Sequence, residues 1–250
     1  DVVRTYERER DWANAVEVGR KLVKERPAFA VTLAHYHCEM AAAALRRDEV
    51  QQARRHLRDA LASHRASVRA MIMLAELEQG QRNPQDVAHW LHQLAEHDSD
   101  LIPQVLPLAR RCADNGALDL GAYLDSAIRN SSPPRVETIL ARADEYKRTS
   151  GFMEASRYVV ANIQQQPSLQ GLLYLIDLHS DQVGSRGRDN LLILRGVVEG
   201  LLQDKHQYRC QACGFSGRRL HWQCPTCHGW STIRPIKTPV PVAAARPEHI

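Results

Sequence analysis

Tyr208-Arg209-Cys210-Gln211-Ala212-Cys213-Gly214-Phe215, and after a short polar run Trp222-Gln223-Cys224-Pro225-Thr226-Cys227-His228-Gly229-Trp230, carry two Cys-x-x-Cys pairs separated by ten residues. A Cys-x-x-Cys turn aims both sulfurs at one point, and two such knuckles facing each other complete a tetrahedron. That geometry suits one zinc or iron ion held by Cys210, Cys213, Cys224 and Cys227. The glycine after the second cysteine, Gly214, lets backbone N–H groups turn back towards the thiolates. Two disulfides or a redox-active Cys-x-x-Cys are the alternative uses of such pairs. In the second knuckle His228 intervenes before Gly229, so amide–sulfur contacts there are expected to differ.

Charge is distributed around this module unevenly. The 250-residue chain has a net charge of +4. Seven of its Lys and Arg residues fall between Lys205 and Pro247, where there is no Asp or Glu. Four thiolates on a divalent ion carry a net −2, which part of this positive charge offsets. A basic face of Arg209, Arg218, Arg219 and Arg234 could instead meet nucleic acid, with Tyr208, Phe215, Trp222 and Trp230 stacking on bases. The other use of those aromatics is a small module core or a contact with the last helices. A module of some thirty residues has too little apolar core to fold without its metal.

Upstream, residues 1–204 are rich in Ala, Leu, Arg, Glu and Gln, with apolar residues recurring at three and four spacings, as helices require. An internal period is visible. Tyr6, Ala15, Leu22 and Pro27 fall where a 34-residue tetratricopeptide repeat places its Tyr, Ala, Ala and Pro, with Asp11-Trp12 in the inter-helix turn. Ala143, Tyr146, Ala155 and Pro167 repeat that register. The equivalent small or apolar position runs Ala15, Ala53, Val87, Gly121, Ala155, at intervals of 38, 34, 34 and 34 residues. The long interval reflects extra residues near 41–47, which lengthen one helix. Small residues let the helices of a hairpin approach, and larger ones fill the seam to the next. A non-repeating helical bundle is the competing reading. Two further helices are expected over 169–179 and 189–202, with a loop over 181–188. They cap the array and lead straight into the module, with little room for a linker.

The resulting expectation is an all-α chain. It comprises a tetratricopeptide-repeat solenoid over 1–204, a rubredoxin-like metal module over 205–237, and an unstructured tail over 238–250. Repeat register places Arg69, Glu76, Asp144 and Lys147 on the first helices, lining a concave groove for a protein partner. Cys38 and Cys112 sit in helical patterns as small buried residues. With so few cysteines outside the knuckles, a reducing cytoplasmic setting fits. His35-x-His37-Cys38 does not read as one ligand cluster, because residues two apart point to different sides of a helix. His89 and His92, with Glu96 and His97 nearby, read as a solvated face. No phosphate-cradling loop, His-Glu-x-x-His or Gly-x-Ser-x-Gly occurs, and no nucleophile is paired with a base; the chain reads as non-enzymatic. No run near 18 apolar residues spans a membrane. The chain opens at Asp1 rather than Met, as a fragment or processed product does.

The array followed by Tyr-x-Cys-x-x-Cys-Gly-Phe, Trp-x-Cys-Pro-x-Cys and Trp230-Ser-Thr-Ile233-x-Pro235-Ile236 resembles the lipopolysaccharide assembly protein B family. Ala34-His35-Tyr36-His37-Cys38-Glu39 and Asp11-Trp12…Ala15 share in the likeness. The resemblance implies a rubredoxin-like C-terminal module and an inner-membrane helix with further repeats ahead of Asp1. It also implies an adaptor role at the cytoplasmic face of the inner membrane. Members promote degradation of the deacetylase that commits precursor to lipid A synthesis, through an FtsH-type membrane protease, and a second membrane protein opposes them. A homodimer is compatible with this. The rival functions are a zinc-ribbon nucleic-acid binder and a rubredoxin-type electron carrier.

Overall fold

In a computed structural model, which describes residues 2–180, 182–202 and 206–236, helices follow one another as hairpins. They are α1 (Val2–Glu9) with α2 (Trp12–Glu25), α3 (Ala30–Arg46) with α4 (Val50–Ser63), and α5 (Val68–Gly80) with α6 (Pro84–His97). Then come α7 (Ile102–Asp114) with α8 (Leu120–Arg129), α9 (Val136–Ser150) with α10 (Phe152–Gln165), and α11 (Leu169–Ser180) with α12 (Ser185–Leu202). The first helices of successive hairpins also touch, α3 on α5, α5 on α7, α7 on α9 and α9 on α11, which makes the stack a solenoid.

The small-residue register explains this stacking. Ala15, Ala53, Val87 and Ala155 are fully buried in the second helices of their hairpins. Gly19, at a position that repeats usually fill with an aromatic, is pressed by the next hairpin: a Cβ there would lie 3.1 Å from Leu33 and 3.3 Å from Phe29. The 38-residue interval has its cause in α3, which runs 17 residues where α5 and α7 run 13 each. Prolines act as punctuation. Pro27 and Pro167 follow the ends of α2 and α10, whereas Pro84 and Pro103 sit in first turns, where no N–H is needed. Asp11 and Asp119 cap α2 and α8 by accepting from the backbone N–H of Asn14 and Ala122. Between hairpins, Arg54 of α4 grips Glu78 of α5 bidentately at 2.9 and 3.0 Å, and Arg142 of α9 grips Asp125 of α8 at 2.8 and 3.0 Å.

The start of the last helix differs from expectation. α12 opens at Ser185, four residues before the expected 189, because the backbone N–H of Arg188 already donates to Gly184 O in helical fashion. Among the described residues no helix is long and apolar enough to cross a membrane. The expected unstructured tail over 238–250 lies outside the described residues.

After the helices comes a three-stranded antiparallel sheet of order β2-β1-β3: β1 (Tyr208–Cys210), β2 (Ser216–Gly217) and β3 (Ile233–Pro235). Tyr208, Cys210, Cys224 and Ile233 form its buried core, with Phe215 and Leu220 against them. The sequence has this module follow straight on from the last hairpin, with little room for a linker. The module folds back onto the face made by the first helices, reaching from α1 to the start of α9, where Arg135 donates to Ile236 O at 3.0 Å.

Candidate metal centre and its seat on the helical array

β1 delivers Cys210 and the turn after it delivers Cys213; a second turn, Cys224-Pro225-Thr226-Cys227, supplies the other pair. Each turn closes by the same backbone bond: Gly214 N–H donates to Cys210 O at 3.0 Å, and His228 N–H donates to Cys224 O at 2.9 Å. His228 is therefore the counterpart of Gly214. Both take left-handed backbone conformations, φ +80° at Gly214 and +58° at His228. The additional residue changes what fills the position, not the turn. Gly229 serves a different need, close approach: a Cβ there would lie 2.8 Å from Thr232 Cγ2 and 3.5 Å from Cys227 Sγ.

The four sulfurs all lie within 4.8 Å of one another. Cys210 Sγ is 3.7 Å from Cys227 Sγ, and Cys213 Sγ is 3.6 Å from Cys224 Sγ. These separations are far too long for a disulfide, whose sulfurs sit about 2.05 Å apart. They match the edge of a sulfur tetrahedron around an ion with bonds of about 2.3 Å, roughly 3.75 Å. The donor set fits a thiophilic metal ion, which these residues can hold. In each knuckle the first cysteine is buried and the second exposed. Thr232 Oγ1 lies 3.3 Å from Cys210 Sγ and also donates to Gly229 O at 3.1 Å. Turned to sulfur, that hydroxyl stabilises a thiolate. With help from the backbone N–H groups of Cys213 and Ala212, it brings the Cys210 thiol down to about 6.

The seat of the module was not legible in the sequence. Trp230 is its anchor. The indole N–H donates to Glu7 Oε1 at 2.8 Å, and the same oxygen accepts from Tyr36 Oη at 2.8 Å. His35 stacks on Trp230 with ring centroids 4.8 Å apart and planes 17° apart, and its Nε2 lies 2.6 Å from Ser231 Oγ. Trp12 and Tyr36 meet the same indole edge-on. Burial, together with the neighbouring Arg69 and His64, pushes His35 down to about 3, so the ring is neutral. Further along, Tyr208 Oη accepts from the Gln104 amide, and Arg234 pairs with Asp98. Trp222 and Trp230 thus contact the first helices rather than the last ones. Tyr208 and Phe215 belong to the module's own core.

The groove residues expected from repeat register part company. Arg69 is not on a free surface: its guanidinium bridges to Glu39 at 2.7 Å and lies 6.0 and 5.8 Å from the Trp222 and Trp230 ring centroids, beneath the module. The chain's own module fills the groove there. Glu76 and Lys147 are exposed, and Asp144 is exposed while accepting from Arg110 at 2.8 Å and from Tyr174 Oη at 3.0 Å. The basic face is divided as well. Arg209, Arg218 and Arg219 are exposed, whereas Arg234 is drawn to Asp98. Cys38 and Cys112 are buried: burial pushes the Cys38 thiol up to about 12, and the Cys112 S–H donates to Pro84 O.

Residues 208–235 match the family model described as a rubredoxin metal binding domain. Over 240 residues the chain is 27% identical to lipopolysaccharide assembly protein B of Escherichia coli strain K12, covering 94% of this chain and 61% of that protein. Its namesake in Haemophilus influenzae is 27% identical over 238 residues, 92% of this chain and 59% of the relative. The chain thus spans about three-fifths of the length of the curated relatives it matches. Through both the helical array and the four-sulfur module, the chain is similar to lipopolysaccharide assembly protein B, and the resemblance read from its knuckles and repeats is borne out.

Proposed function

We propose that the chain is the repeat-and-module part of a non-catalytic adaptor that regulates lipopolysaccharide biosynthesis. It acts at the cytoplasmic face of the inner membrane and brings the deacetylase that commits precursor to lipid A synthesis to an FtsH-type membrane protease. A second membrane protein opposes it. The observation that carries this reading is the likeness to lipopolysaccharide assembly protein B, which runs through array and module together over 94% of the chain. An adaptor of this kind works by effective concentration: holding substrate and protease on one scaffold makes their encounter intramolecular. On this reading the partners meet the part of the first-helix face beyond the module, around Asp144 and Lys147, and charge there sets orientation and on-rate more than affinity. The bound ion is one iron or zinc; a visible chromophore with a reversible couple identifies iron.

Binding to nucleic acid is disfavoured by the seat of the module. Trp222 and Trp230, the aromatics that would stack on bases, face His35, Tyr36 and Arg69 of the array. The test is a pull-down from a Gram-negative lysate with metal-loaded and metal-free chain. Recovery of the deacetylase and the protease by the loaded form supports the adaptor. Recovery of nucleic acid alone, with steep salt dependence, overturns it.

A further inference from the structure

His35 and His37, two residues apart on α3, point to opposite sides of the helix. His35 meets the module. His37 faces α4, where His56 and Asp59 stand three residues apart on one face. One nitrogen of each histidine and a carboxylate oxygen of Asp59 all lie within 4.8 Å of one another. His37 Nδ1 is 4.0 Å from Asp59 Oδ2, too long for a hydrogen bond, and the two imidazole centroids are 6.2 Å apart. The His37 side chain is only 2% exposed, yet its Nδ1 has no hydrogen-bond partner, and neither does the buried Nδ1 of His56. Two neighbouring imidazoles, each with an orphaned buried nitrogen, beside one carboxylate are unusual in a helix seam, because a buried polar atom without a partner is costly.

We propose that His37, His56 and Asp59 form a second metal site, for a single Zn²⁺ or similar divalent transition ion, bridging α3 and α4. Two imidazoles and a carboxylate are the donors that borderline divalent ions prefer, in contrast to the four sulfurs of the module. Ligand atoms around a tetrahedral ion with bonds of about 2.0–2.1 Å lie roughly 3.4 Å apart. The observed separations therefore close by small rotations, for which Asp59, half exposed, has room. Three protein ligands leave the fourth position to water on the solvent side. The carboxylate supplies one negative charge, and Arg20 of α2 opposes it, so the site binds more weakly than the thiolate centre. The inference does not rest on the adaptor reading.

The test uses the full chain, free of affinity tags, with its four-cysteine site already filled by one ion and checked by native mass spectrometry. Zn²⁺ is then titrated. The expected result is a second equivalent bound with micromolar affinity and a raised melting temperature. Asp59→Asn and His56→Gln each weaken this second equivalent at least tenfold, while His89→Gln on α6 leaves it unchanged. Cobalt in the second site gives weak visible bands without sulfur-to-metal charge transfer. A stoichiometry that stops at one, a second equivalent that survives both variants, or a second equivalent that shows thiolate charge transfer overturns the proposal. Metal-free Asp59→Asn and His56→Gln keep the wild-type melting temperature, which separates lost ligation from lost folding.

Discussion

At the scale of the residue, His228 performs a turn that its partner knuckle gives to glycine. A non-glycine residue in the left-handed region is strained by roughly 1 kcal/mol. His228→Gly is therefore expected to raise the stability of the metal-loaded module by about 0.5–1 kcal/mol. A higher melting temperature and slower metal release to a chelator are the readouts. His35 gives a pH prediction whose sign follows from its depressed pKa. Between its ordinary value near 6.5 and about 3, the unfolded chain binds a proton that the folded chain refuses. Stability thus falls as pH drops through that window, by up to about 1.4 kcal/mol per unit from this group. Tryptophan fluorescence of acid-titrated protein reports it, and His35→Gln flattens the profile; an unchanged slope in that variant would place the effect elsewhere. That the four cysteines come together was legible in the sequence because cysteine spacing is a local property. The role of His35 was not, since its partners Ser231 and Trp230 lie almost two hundred residues away.

At the scale of elements, helices declared themselves through apolar period and small-residue register, and their order as hairpins followed. The start of α12 escaped because its first turn, Ser185-Arg186-Gly187-Arg188, has the composition of a loop and no apolar face. The seat of the module escaped for a different reason. An indole at the end of a knuckle carries no local sign of whether it fills its own module, stacks on a base or docks on a helix. Trp230→Ala tests the docking. It removes the bond to Glu7 and the stack on His35, and is expected to cost about 2 kcal/mol or more of docking. Hydrogen exchange in α1 and α3 should quicken while the four-sulfur site keeps its metal. Loss of metal in this variant would instead mean that the module folds only on its seat.

At the scale of the whole molecule, metal, module and first-helix face are expected to be coupled. Cys213→Ser, or removal of the ion by a strong chelator, is expected to unfold the module, because its core of four buried residues is too small to stand alone. Arg69 and His35 then come to the surface, and the inner face from α1 to the start of α9 opens. Limited proteolysis should cut first between 206 and 236, with the helices persisting by circular dichroism. A metal-free protein whose module resists protease would contradict this coupling.

The hydrogen bond from Trp230 to Glu7 spans 223 residues of sequence. A stack of helical hairpins is ordinarily a linear spring, touching only near neighbours and free to fray from either end. Joined across that bond, the stretch of spring from α1 to the module becomes a closed loop. Stretched between α1 and the module, such a molecule is expected to yield at the module's seat, where a few rings, two carboxylates and a handful of hydrogen bonds bear the load. Once that seat gives way, the hairpins extend one by one at lower force. An ion held by the four cysteines, by keeping the module folded, would then govern the stiffness of an array that it never touches.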